Sequence, residues 1–182
     1  MINEYPWLRK TYQSHEKNIK AHKNAHALLI KGNSGIGRLT LAENLSDAFL
    51  GYEESGTIDE TIVSPIEDKK TITIDQIRSL KESLLLTSLK GKGKVGIIYP
   101  AETMTYPAAN SLLKILEEPP RNSLFFIISH KYCFNKYTMY CILGWCGEIQ
   151  FYAQFCETRF YAQRFYAQFW KNTVLCTICF FI

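Results

Sequence analysis

Residues 1–130 contain no cysteine, and residues 131–182 contain no proline. Nowhere does an apolar run approach the roughly 20 residues that a bilayer-spanning helix needs. The best stretches near the C-terminal end, "MYCILGWCG" and "VLCTICFFI", have nine residues each. The start, "MINEYPWLRKTY", lacks an apolar core segment, so no secretory signal is expected there. Charge of one sign is also scarce. A formal net charge of +4 is too mild to indicate nucleic-acid binding by itself. These absences make a membrane protein or a secreted disulfide scaffold a poor fit. They leave a cytoplasmic protein with reduced thiols as the default expectation.

What is present divides near residue 130. The first part carries 16 Lys/Arg, 15 Asp/Glu and all six prolines, a mixture typical of a folded domain. The second part carries all six cysteines, 16 of the 25 aromatics and only seven charged residues, so the two parts are not one design. "FYAQ" recurs at Phe151, Phe160 and Phe165, spaced by nine and five residues. Solenoid repeats are about 20 residues or longer and keep a fixed period. Residues 152–182 are therefore read as a low-complexity, aromatic and cysteine-rich tail, the product of a frameshift or repeat expansion.

Within residues 1–130, apolar strands alternate with amphipathic helices. Ala27–Ile30 reads as a buried strand ending at Gly32. Leu39, Leu41, Ala42, Leu45, Ala48 and Phe49 then recur at helical spacing through Leu50. Residues 51–71 are polar, with a weak strand at Thr61–Val63. Asp75 is expected to cap a helix carrying Ile77, Leu80, Leu84 and Leu85. "LKGKGK" is a loop, Val95–Tyr99 a second buried strand and Leu124–Ser129 a third. Between these last two, Thr105 is expected to cap a helix with Pro107 in its first turn, stopping at Pro119 and Pro120. The pattern predicts an α/β domain with a mainly parallel sheet. Such sheets place ligands beyond the carboxyl ends of their strands.

The stretch "GNSGIGRLT", Gly32–Thr40, lies at such a place. A phosphate loop has the form G-x-x-x-x-G-K-[ST]. Gly32, Gly35 and Gly37 supply the glycines, which let backbone N–H groups turn inward at a helix N-terminus. Arg38 replaces the lysine, and its wide planar fork does not fit where a compact ammonium belongs. Leu39 replaces the hydroxyl residue that would hold magnesium. Thr40 comes one residue late, rotated by about 100° on the helix. The acidic residue wanted at a strand end to hold the metal is also missing. Tyr99 and Pro100 stand there, with Glu102 two residues beyond Pro100. The residues thus point to a degenerate ATP site without hydrolysis and with ATP binding disfavoured. The plainer alternative is a glycine turn that lets a helix pack close to a strand.

"AANSLLKILEEPP", with "YPWL", "HALLIKGNSGIG", "ITIDQIRSL" and "FFIISH" in that order, resembles the delta-prime subunits of bacterial DNA polymerase III over Tyr5 to His130. These are non-hydrolysing members of the sliding-clamp loader with an AAA+-type P-loop NTPase core. "LLKILEEPP" alone would leave delta-prime and the gamma/tau subunits undecided. The damaged loop and missing strand-end aspartate favour delta-prime. The resemblance implies gamma/tau and delta subunits as partners, with the sliding clamp and primed DNA met indirectly during replication. It implies no catalysis of the chain's own. In the "LLKILEEPP" helix, Ala109, Leu112, Leu113 and Leu116 form the apolar stripe, while Lys114, Glu117 and Glu118 fall off it. They form either a solvated face or a face toward a neighbouring subunit. Acids near a helix C-terminus oppose its dipole, which favours an external partner for Glu117 and Glu118.

Three departures stand against the resemblance. The family's four-cysteine zinc module has no counterpart, since residues 49–71 hold neither cysteine nor histidine. "CILGWCGEIQF" resembles the family's Ser-Arg-Cys segment and makes residues 131–151 a degraded continuation of the domain. It puts Trp145 at the arginine-finger position, where one N–H and no charge cannot serve. Residues 152–182 match neither the expected lid nor the collar.

Other features carry less. Cys176 and Cys179 form the only C-x-x-C; Cys133, Cys141, Cys146 and Cys156 are irregularly spaced, and no metal is expected. His15, His22 and His26 suit packing or surface roles. Lys90, Lys92 and Lys94 form a basic loop, solvated or touching DNA phosphates. Two rival functions remain at this stage. One is an ATPase of gamma/tau type using Arg38 and Glu102. The other is a truncated relic whose exposed apolar tail would favour aggregation.

Overall fold

The computed structural model describes residues 5–21, 25–51, 58–66, 69–89, 92–129 and 176–179. Helix α1 (Pro6–Lys20) opens with proline at its first position, where a missing N–H costs little. It was not foreseen from the sequence, although Leu8, Tyr12, His15 and Ile19 share helical spacing, and it buries Leu8 and Ile19. Then come β1 (Ala27–Lys31), α2 (Arg38–Leu50), β2 (Glu60–Val63), α3 (Ile74–Leu85), β3 (Lys94–Ile98), a 3-10 turn (Ala101–Thr103), α4 (Tyr106–Glu117) and β4 (Ser123–Ser129). In the tail, Cys176–Cys179 forms β5, an element not expected there.

All neighbouring strands run parallel, in the order β2-β3-β4-β1-β5. Every residue of β4 is buried, as a strand covered on both faces requires. Leu28, Ile30, Val95, Ile97, Leu124, Phe126 and Ile128 pack toward α1 and α2. Ala27, Leu29, Ile98, Phe125 and Ile127 pack toward α3 and α4. Phe125 and Phe126 are fully buried on opposite faces, and truncating either to alanine would cost about 3–5 kcal/mol. The expected α/β fold with a parallel sheet is the one observed.

Helix ends follow local chemistry, with one correction. Thr105 caps α4, its hydroxyl accepting from the Ala108 N–H, with Pro107 in the first turn. Asp75 does not cap α3. Thr73 does, in a capping box where the Thr73 N–H donates to the Gln76 side chain. Asp75 lies in the first turn instead, where its charge suits the helix dipole. The α4 stripe also shifts: Ile115 is buried and Leu113 only partly so, because the helix faces its core along Ala108, Leu112, Ile115 and Leu116.

Lys94 does not belong to a solvated basic loop. It begins β3 with its side chain buried, and its Nζ lies 3.4 Å from Asp59 Oδ1. Asp59 also accepts from the Leu89 N–H at 3.0 Å and the Ser88 hydroxyl at 3.1 Å. This buried pair pins the end of the segment after α3 beside the start of β2. Lys92 is exposed, and Lys90 lies outside the described residues.

Candidate functional site

The glycine loop follows β1 at the carboxyl edge of the sheet. Gly35 and Gly37 adopt φ values of +84° and +83°, open to glycine at no steric cost. Gly32 is needed for a different reason. A Cβ there would come within 2.5 Å of Ile36 Cδ1 and 3.4 Å of Arg38 Cδ. The loop is folded back so that Ile36 lies across Gly32, with the stem of Arg38 beside it.

The first turn of α1 is seated on this loop. Trp7 Nε1 donates to the Ile36 carbonyl at 3.1 Å. A Cβ on Gly37 would press on Leu8 and Tyr5 at 3.0 Å. Tyr5 and Trp7 meet edge to face, 5.6 Å between ring centroids. Sequence reasoning assigned no role to these aromatics beyond the "YPWL" resemblance. Two aromatics flanking a proline at a helix start are the only signal that could have flagged them.

Arg38 opens α2, and only 3% of it is exposed. Its guanidinium carbon lies 5.9 Å from the Tyr99 ring centroid, within cation–π reach. Burial pulls its pKa below the ordinary value, while Tyr99 and the charge of Glu102 oppose the change. Arginine remains protonated regardless. Its Nη1 is buried without a hydrogen-bond acceptor among the described residues. Glu102, whose place relative to the strand was open in the sequence, lies in the 3-10 turn just past β3 with both carboxylate oxygens buried. Leu39, at the hydroxyl position, is half-buried against the core under α1 and α2.

These residues do not fit a magnesium nucleotide. The lysine position holds a side chain folded into the interior. The hydroxyl position holds a half-buried aliphatic group packed against the core. The strand end holds Tyr99 and Pro100, joined by a cis peptide. What the arrangement retains is a glycine junction joining α1, β1, α2 and the end of β3.

The other expected site residues lie elsewhere. Lys114, Glu117 and Glu118 are exposed at the C-terminal end of α4. That end sits at the amino edge of the sheet, where the His26 ring Nε2 lies 3.1 Å from the Leu116 carbonyl. One five-residue strand, roughly 17 Å at 3.3 Å per residue, separates this edge from the glycine loop. The structure therefore divides Gly32, Gly35, Gly37 and Arg38 from Lys114, Glu117 and Glu118. Trp145 lies outside the described residues, as do His22, Cys133, Cys141, Cys146 and Cys156.

A family model described as DNA polymerase III, delta subunit, matches residues 7–138. The DNA polymerase III subunit delta' of Pseudomonas aeruginosa is 32% identical over 148 residues, covering 72% of this chain and 44% of that protein. The subunit of the same name from Escherichia coli is 31% identical, covering 70% and 43%, and that from Bacillus subtilis 34% identical, covering 63% and 39%. The chain thus spans less than half the length of these curated relatives. Among solved structures, a DNA polymerase III gamma subunit-related protein from Thermotoga maritima superposes with a TM-score of 0.61 at 24% identity, covering 70% of this chain and 42% of that one. This likeness bears on the fold.

Proposed function

As the chain belongs to the DNA polymerase III delta-subunit family, we propose that it serves as a non-hydrolysing clamp-loader subunit of delta-prime type. It would stand beside gamma/tau and delta subunits in the cytoplasm and help place the sliding clamp on primed DNA. The observation that carries this reading is the fate of Arg38 and Leu39. Nucleotide hydrolysis on a phosphate loop needs a cation presented to phosphates and a hydroxyl on the metal. Here the first is folded inward, and an aliphatic side chain packed partly buried against the core stands in place of the second. The AAA+-type scaffold persists without the means of hydrolysis, as a structural subunit of a ring requires. Lys114, Glu117 and Glu118 supply an exposed charged face, which we assign to a neighbouring subunit.

The test is assembly. The purified chain, mixed with gamma/tau and delta subunits, is expected to co-elute with them on size exclusion and to release no phosphate from Mg·ATP. Failure to associate under conditions where the other subunits assemble refutes the role. Turnover that vanishes in Arg38→Ala would instead make the protein an ATPase.

A further inference from the structure

We propose that the outer edge of β2 is a self-association surface: two copies of this chain pair antiparallel through β2, with Ile62 on the two-fold axis, and make one continuous sheet. The proposal goes beyond the clamp-loader reading and does not depend on it.

Among the described residues, β2 is the outermost strand on its side of the sheet, and no strand pairs with its outer edge. The Asp59 and Val63 carbonyls accept from the Val95 and Tyr99 N–H groups, on the β3 side. Strand alternation then aims the N–H and C=O of Ile62 away from β3, at the outer edge. Such an edge is a template for a second chain, and folded proteins commonly blunt it with charge, proline or a covering element. Here apolar side chains line it. Ile58 lies in the turn before β2, Ile62 within it and Ile66 just past it, at four-residue intervals. They are 78%, 45% and 53% exposed. Singly exposed apolar residues are ordinary, but a row of three along an open edge is not. The row also names its occupant, because it is symmetric about Ile62. In an antiparallel pair centred there, Ile62 faces its own copy, Ile58 faces Ile66 of the second copy, and Glu60 faces the uncharged Ser64. Centring the pair on Glu60 would oppose two carboxylates, and centring it on Thr61 would set Glu60 against Ile62. Like charges directly opposite each other destabilise a strand pair, and β-branched apolar pairs support it. A two-fold interface requires this self-complementarity, whereas a partner of unrelated sequence has no need of it. The bond from the Leu89 N–H to Asp59 brings the exposed Leu89 near the Ile58 turn, which widens the apolar ground at each end of the pair.

Analytical ultracentrifugation of the whole chain under reducing conditions tests this. A four-residue strand makes a small interface, so a weak, reversible monomer–dimer equilibrium is expected. A chain that stays monomeric into the high micromolar range overturns the proposal. Ile62→Lys sets two ammonium groups face to face on the axis and is expected to weaken dimerisation about tenfold. Association that survives this change, as association through the cysteines or aromatics of the tail would, overturns it. Ile58→Lys and Ile66→Glu are each expected to weaken the dimer. Within one chain these positions lie at opposite ends of β2, so the introduced charges meet only across the axis. The double variant is therefore expected to dimerise more strongly than either single one, and a double variant no better than the weaker single overturns the pairing. Circular dichroism separates folding from association. Should Ile62→Lys fail to fold, the charge swap decides alone, since Ile58 and Ile66 are both more than half exposed. Assembly with gamma/tau and delta is read separately. Its failure would remove the clamp-loader role and leave the pairing standing, and failed pairing would leave assembly untouched.

Discussion

Asp59→Asn is the most informative single change outside the glycine loop. The Asp59 side chain is fully buried, and that of Lys94 is only 9% exposed, 3.4 Å away. The carboxylate also receives the Leu89 N–H and the Ser88 hydroxyl. Neutralising it leaves the Lys94 ammonium buried without compensation and weakens two charge-assisted hydrogen bonds. Removing one partner of a buried pair costs about 3–5 kcal/mol, far more than the pair contributes over an apolar replacement. For a chain of this size that is a fall of roughly 6–20 °C in melting midpoint. Adding Lys94→Met should return much of the loss, since the uncompensated charge is then gone. Thermal unfolding of the three variants by circular dichroism reads both effects. A loss under about 1 kcal/mol for Asp59→Asn, the level of an exposed pair, would refute the claim that Lys94 is buried and held by Asp59. It would return that lysine to the solvated basic loop that the sequence suggested.

Gly37→Ala forces a left-handed conformation on a residue with a Cβ and presses that atom on Leu8 and Tyr5. A loss of at least about 1–2 kcal/mol is expected in urea unfolding, and a neutral result would mean that α1 does not seat on the loop. Trp7→Phe keeps the ring but loses the bond to the Ile36 carbonyl. It should cost about 1 kcal/mol or less and speed amide exchange in the first turn of α2; unchanged exchange would show that the bond does not hold the loop. Burial keeps the pKa of His26 and of His15 below the ordinary 6.5. As pH falls, the unfolded chain takes up these protons first, so stability should decline as pH falls through about 6.5 and on toward the lowered folded-state values. His26→Gln should flatten that decline in part, His15 supplying the rest, and a midpoint that rises on acidification would contradict the sign.

Much of this architecture can be read from periodicity because the sheet is buried on both faces. "ALLIK", "KVGII" and "SLFFIIS" are near-continuous apolar runs, as parallel strands covered on both faces are. Leu41, Ala42, Leu45 and Phe49 announce a helix for the same reason. The misses fall where a neighbour in space decides. Asp75 and Thr73 are both sound caps by residue type; Gln76, which serves Thr73 and also donates to the Ser64 carbonyl, decides between them. Lys94 sits in "KGKGK" with lysines on either side of a glycine, and nothing local separates it from Lys92. Asp59 does so from 35 positions earlier in the chain, because β2 and β3 are paired with Glu60 opposite Val95. The glycine loop shows the same limit at the site itself. That Arg38 and Leu39 cannot do a lysine's and a threonine's work follows from side-chain chemistry alone. That Arg38 turns inward toward the Tyr99 ring is possible only because the carboxyl ends of β1 and β3 lie at one edge, with β4 between them. A degenerate motif read along the chain shows lost groups; read across the sheet, it shows what the replacing side chain is holding.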